Sequence, residues 1–253
     1  MKNLFSILVL SLITITSARS QTVDEILGNY FESIGGIEKV KSVKTFKMIG
    51  VLPTPQGEFD FELAQKTPNM IKITVTVMGQ TMVPQAYDGE TGWMLNPFTG
   101  SNTPEKLPDE QTKALMDEAE FEDPFLDFAK KGHAVSYEGT SEVDGINCFI
   151  LKLVKNKGNP ENEITSDYYF DEDSYLPLMV KQTPLNGQMA GQEVMVYFSD
   201  YQDAGDGLIK AYTMDSRIDG QSVQMIKFNT IVVNEEIPDE FFKFPGDTIP
   251  AVN

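Results

Sequence analysis

Apolar residues recur at a helical spacing near the start of the chain. In TVDEILGNYFESI, Val23, Ile26, Leu27, Tyr30, Phe31 and Ile34 fall three and four residues apart, and Thr22 with Glu25 makes a capping-box pair. The spacing predicts an amphipathic helix over Thr22–Ile34, stopped by Gly35 and Gly36, with one stripe that must lie on something apolar. From Val43 the period changes to two. Phe59, Phe61 and Leu63 alternate with Glu58, Asp60 and Glu62, and Ile71, Ile73, Val75 and Val77 alternate with Lys72, Thr74 and Thr76.

Turn signals at Gly79-Gln80 and Asp88-Gly89 fold this region into a meander of hairpins, with Pro84 marking an edge or a bulge. The stretch LPDEQTKALMDEAEFEDPFLDFAKKG loses the two-residue period and reads as helical, with a helix over Glu120–Lys131 presenting Phe121, Phe125, Phe128 and Ala129 on one face. Alternation resumes in INCFILKLV, ITSDYYF, YLPLMVKQT, EVMVYFSDY, LIKAYTM and SVQMIKFNTIVV, and the chain closes on the short turn PDEFFKFP. No repeat, linker or composition break appears. The expectation is mainly β with helices (α+β), a single domain over 21–253. About ten or eleven antiparallel strands form a strongly curved sheet, a half-open barrel covered by helices.

Residues 1–20 hold Lys2, the apolar run LFSILVLSLITI and the small residues Ala18 and Ser20, which predict a cleaved secretory signal and an exported chain. The apolar run is shorter than a bilayer span. Cys148, the sole cysteine, excludes an internal disulfide, so the core alone must hold the fold. Loss of Lys2 and Arg19 takes the net charge from -18 to -20, which opposes binding to nucleic acid or anionic lipid surfaces.

Catalytic signals are sparse. His133, the one histidine, follows a Lys-Lys-Gly run and reads as a surface residue, and no HExxH, CxxC, GxGxxG or P-loop motif occurs. The acidic runs Asp117–Asp123 and Phe170–Tyr175 read as a solvated helix face and a hairpin turn, although a glycosidase-like pair, or a calcium site at Asp171–Asp173, is the alternative. No catalytic residue, cofactor or metal is expected. Eleven of the 12 methionines lie beyond residue 20. They serve either as core filling or as a surface that re-packs around a flexible apolar ligand.

Asp88-Gly89, Thr91, Trp93 and Asn96-Pro97-Phe98 resemble a hairpin of the periplasmic lipoprotein carriers, the LolA-like family. Lys66–Asn69, Asp123–Ala129 and Phe241–Pro245 resemble, in order, that family's strand junction, lid helix and C-terminal segment. The resemblance implies a half-barrel whose apolar cavity holds acyl chains of a lipoprotein, between an inner-membrane transporter and an outer-membrane receptor. Two departures stand out: the family's lid-holding Arg at the junction is Thr67 here, and beyond residue 20 only Arg217 is an arginine.

The function expected is non-enzymatic carriage of lipoprotein or other lipidic cargo by a monomer, with no nucleic-acid partner. The rows Phe59, Phe61, Leu63 and Ile71, Ile73, Val75, Val77, together with Trp93 and Leu95, are expected to wall the cavity beneath a lid bearing Phe121, Phe125 and Phe128. Alternation leaves open which face points inward, and an ordinary core position is the other reading of Trp93. The rival functions are an exported scaffold that binds a protein partner and a carboxylate-dependent hydrolase.

Overall fold

The computed structural model describes residues 21–100, 102–159, 163–184 and 190–248. The expected signal segment, 1–20, lies outside them. The helices are α1 (Val23–Ser33), α2 (Ile37–Ser42) and α3 (Asp109–Glu118). The first run of strands is β1 (Thr45–Thr54), β2 (Gly57–Lys66), β3 (Met70–Val77), β4 (Gln80–Tyr87), β5 (Gly92–Leu95) and β6 (Glu105–Lys106). The second is β7 (Ala134–Val143), β8 (Ile146–Lys155), β9 (Ile164–Asp171), β10 (Pro177–Gln182), β11 (Val194–Asp203), β12 (Ile209–Ile218) and β13 (Gln221–Val233).

All pair antiparallel in one sheet of 13 strands, in the order β6-β5-β4-β3-β2-β1-β13-β12-β11-β10-β9-β8-β7. Thirteen strands exceed the ten or eleven expected. The strands the alternation misses are β6, only two residues long, and β7, where Gly139 at a bulge and the consecutive polar Thr140, Ser141 and Glu142 break the period. Pro84 sits where β4 shifts register against both β3 and β5, so the bulge accommodates its missing amide.

The sheet curls strongly. Tyr168 of β9 and Met48 of β1 line one cavity, yet the five strand spacings between them would separate the two by roughly 24 Å in a flat sheet. The helices cover the inner face of this curl. Thr22 and Glu25 close the capping box, and Ile26, Leu27, Tyr30, Phe31 and Ile34 are buried against Leu151, Leu153 and Phe170. Gly35 and Gly36 end the helix at φ of 112° and 97°, a region only glycine enters cheaply. Burying five such side chains at roughly 1.5–3 kcal/mol each explains why so short a helix is stable here. α3 packs on the same face, setting Leu115 and Ala119 against Ile71 and Tyr87.

The expected helix over Glu120–Lys131 is absent: residues 119–132 form a strap of turns. Pro124 supplies no amide and clashes with a helical carbonyl four residues back. The Asp123 carboxylate accepts the Phe125 N–H at 2.9 Å, closing a local turn in place of a helical one.

Candidate functional site

Inner-facing side chains converge beneath the strap. Two cavities of about 250 and 230 Å³ adjoin there and share Ile34, Met48, Asp123, Pro124 and Lys210. The first is walled by Phe46, Phe121 and Leu208 and reaches a polar mouth at Lys41, Lys44, Gln65 and Thr67. The second is more apolar, with Tyr168 from β9, Phe198 from β11, Met214 from β12, Phe228 from β13 and Phe125 from the strap. The strand period explains the convergence, because Phe198 stands opposite Met214 and Met214 opposite Ile226 in adjacent ladders.

The strap is tied at several points. Tyr30 Oη donates to Asp123 Oδ2 at 2.6 Å, Phe121 N–H to the Pro68 carbonyl at 3.4 Å, and Lys131 Nζ to the Asp123 carbonyl at 3.1 Å. Phe121 stacks on Phe46 with ring centroids 5.3 Å apart, and Phe125 meets Tyr168 edge-on at 4.7 Å. Glu120 accepts Lys155 and lies 3.6 Å from Lys131 and 3.8 Å from His133 Nε2. Burial alone would raise the Glu120 carboxyl, but the Lys155 hydrogen bond and the neighbouring cations together hold it below the usual range. His133, expected at the surface, is buried, and burial lowers its pKa against the opposing pull of Glu120.

The resemblance would put an arginine at position 67. Thr67 lines the first cavity, and Arg217 is engaged elsewhere, bonding Asp215 at 2.6 Å and lying 4.0 Å from the Tyr197 ring. Replacing Tyr30 with phenylalanine is expected to cost about 1.5–3 kcal/mol, since the hydroxyl bonds a carboxylate out of bulk water. A urea unfolding midpoint checks it, and an unchanged midpoint would show that the tie is idle.

None of the residues in the rows expected to wall the cavity lines either of these two. Phe61 and Val75 are buried in a cluster with Phe46 and Phe228, and Phe59, Leu63, Ile73 and Val77 pack half-buried against that cluster. They share the inner face with the cavity walls, but neither cavity touches them. Ile71 lies under α3. Trp93 and Leu95 stand on the opposite, outer face, where Trp93 Nε1 donates to the Phe242 carbonyl at 2.7 Å beneath the C-terminal turn. Of the lid residues, Phe121 lines the first cavity and Phe125 the second, whereas Phe128 packs behind the strap near Leu27 and Phe31.

Three wall residues, Phe198, Phe228 and Lys210, carry no signal in the pattern, whereas Met48 and Met214 belong to the methionines read as core filling or as a surface that re-packs around an apolar ligand. The methionines do not favour one face, since Met48, Met82 and Met214 lie inward and Met179 and Met195 pack in an outer cluster. The acidic turn at Asp171 is self-contained, its Oδ1 accepting Asp173 N–H at 2.8 Å. Among the described residues, every carboxyl with a resolved shift is held low, as at Glu120 and Asp239.

No family sequence model matches the chain, and no curated protein matches it by sequence. Solved structures do. A domain from Vibrio parahaemolyticus described as an outer membrane lipoprotein-sorting protein aligns over 87% of this chain and 95% of its own, at 14% identity and a TM-score of 0.54. A LolA superfamily protein from Nitrosomonas europaea aligns over 88% of this chain and 98% of its own, at 10% identity and a TM-score of 0.55. The chain has the LolA-like fold. A DUF1329 family protein from Desulfovibrio piger shares it, at 15% identity and a TM-score of 0.54 over 86% of this chain and 97% of its own. At such identities the likeness carries the fold, and function has to be argued from the groove.

Proposed function

We propose that this LolA-like chain is an exported, non-enzymatic carrier that shelters acyl chains of a lipoprotein or another lipidic cargo in the groove beneath the strap. The observation that carries the reading is the pair of adjoining cavities on the inner face, roofed by a strap that is stitched by polar ties rather than built into a helix. A scaffold that merely borrowed the fold would have filled this space with its own side chains. Each methylene taken from water is worth about 0.8 kcal/mol, so acyl chains bind there without catalytic groups. Residues 1–20 would direct export to the periplasm, leaving 21–253 as the working domain. No described helix is long and apolar enough to cross a membrane.

Native mass spectrometry of the purified protein, followed by lipid extraction, tests the reading. Co-purifying lipid, or uptake of added lipopeptide, is the expected result. Met214→Asp, which puts a carboxylate into the apolar cavity, is expected to weaken uptake at least about tenfold. An empty protein that takes up no lipopeptide would overturn carriage and favour the scaffold reading.

A further inference from the structure

Lys210 occupies an unusual position for an ammonium group. It borders both cavities, on the inner face of β12 two residues from Tyr212 and four from Met214. Its Nζ lies 4.6 Å from the centroid of Phe46, which gives it a π face but no proton acceptor. The nearby Asp123 carboxylate already accepts two bonds, Oδ2 from the Tyr30 hydroxyl and Oδ1 from the Phe125 amide, and makes none to Lys210. Among the described residues no hydrogen bond or ion pair accepts the three Lys210 protons. Burial accordingly lowers its pKa, with Asp123 opposing at longer range.

A lysine that only covers apolar surface sends its head to water. Here the half-buried side chain keeps its head at the junction of two chambers, where a partly desolvated cation is costly without an anion. The chambers differ in the way an amphiphile's ends differ. On one side the walls are Phe198, Met214 and Phe228; on the other the lining turns polar, with Lys41 and Lys44 beside Glu120, Glu122 and Asp123. Resting on the carrier reading, we propose that the groove selects amphiphiles with an anionic head, a carboxylate or a phosphate, which pairs with Lys210 while the acyl chain fills the cavity of Phe198, Met214 and Phe228.

Calorimetric titration of the purified protein with dodecanoate, dodecyl phosphate and methyl dodecanoate, each below its micelle concentration, tests this. Both anions are expected to bind about ten- to a hundredfold more tightly than the neutral ester, the range for a charge-assisted bond. Lys210→Met, which keeps the stem, is expected to erase that preference, and Lys210→Arg to retain it. Preference for one anion alone would support the proposal and name the head as carboxylate or phosphate. Equal binding of all three, or a preference that survives Lys210→Met, would overturn the head-group proposal and leave the carrier reading standing. If none of the three binds the wild-type protein, the proposal and the carriage of simple acyl chains both fall.

Discussion

Trp93→Ala is expected to lower the stability of the fold by about 3–5 kcal/mol, the cost of emptying a buried aromatic site. The indole is only 2% exposed and packs against Val83, Ala86 and the edge-on ring of Phe244. Its N–H satisfies the Phe242 carbonyl, so truncation also leaves an acceptor of the C-terminal turn unpaired. Because Trp93 lies on the outer face, lipid uptake measured well below the unfolding temperature is expected to be unchanged. The result reports directly on the sheet's orientation. A variant that unfolds at the wild-type urea concentration yet loses uptake would return Trp93 to the cavity and reverse the two faces.

Gly50→Ala should combine both losses. A Cβ at this position would sit 1.9 Å from the Lys227 carbonyl oxygen and 2.7 Å from the Phe228 Cα, both backbone atoms that cannot rotate away. Gly50 stands opposite Phe228 just where β1 and β13 shift register, and this ladder joins the sheet's first six strands to its last seven. A cost of about 3 kcal/mol is expected, the upper part of the range for forcing extra volume into a packed site. Met48 and Phe228, which flank the clash, are cavity walls, so uptake should fall along with the unfolding midpoint. A Gly50→Ala protein of wild-type stability would mean that the two strands separate without cost, contrary to the pairing seen.

The two variants divide the molecule as its chemistry does. One removes volume from a face that is closed by the chain's own C-terminal turn, and the other disturbs a face that the chain leaves partly unfilled. Local signals anticipated much of the frame in which both sit. The α1 capping box, the Gly35-Gly36 stop and the bulge at Pro84 all follow from short-range sterics and hydrogen bonding, and each is found where the residues place it. The strap departs from the expected helix for an equally local reason. Its phenylalanines keep a helical spacing, but Pro124 and the Asp123 side chain offer the backbone turn bonds that a helix would have to break.

Within each strand, the sequence by itself determined which residues share a face: Phe59, Phe61 and Leu63 travel together, as do Trp93 and Leu95, because successive side chains on a pleated strand point to opposite sides. It could not determine which side is enclosed, since a row of apolar residues is buried equally well by a helix, a C-terminal turn or a ligand. Only the tertiary structure decided that. Curling β9 toward β1 brings Tyr168, Met48, Met214 and Phe228 around one space, although they come from strands scattered along the chain. The same closure strands Lys210 between two cavities, because a single lysine in an alternating strand carries no mark of its surroundings until neighbouring strands wall it in.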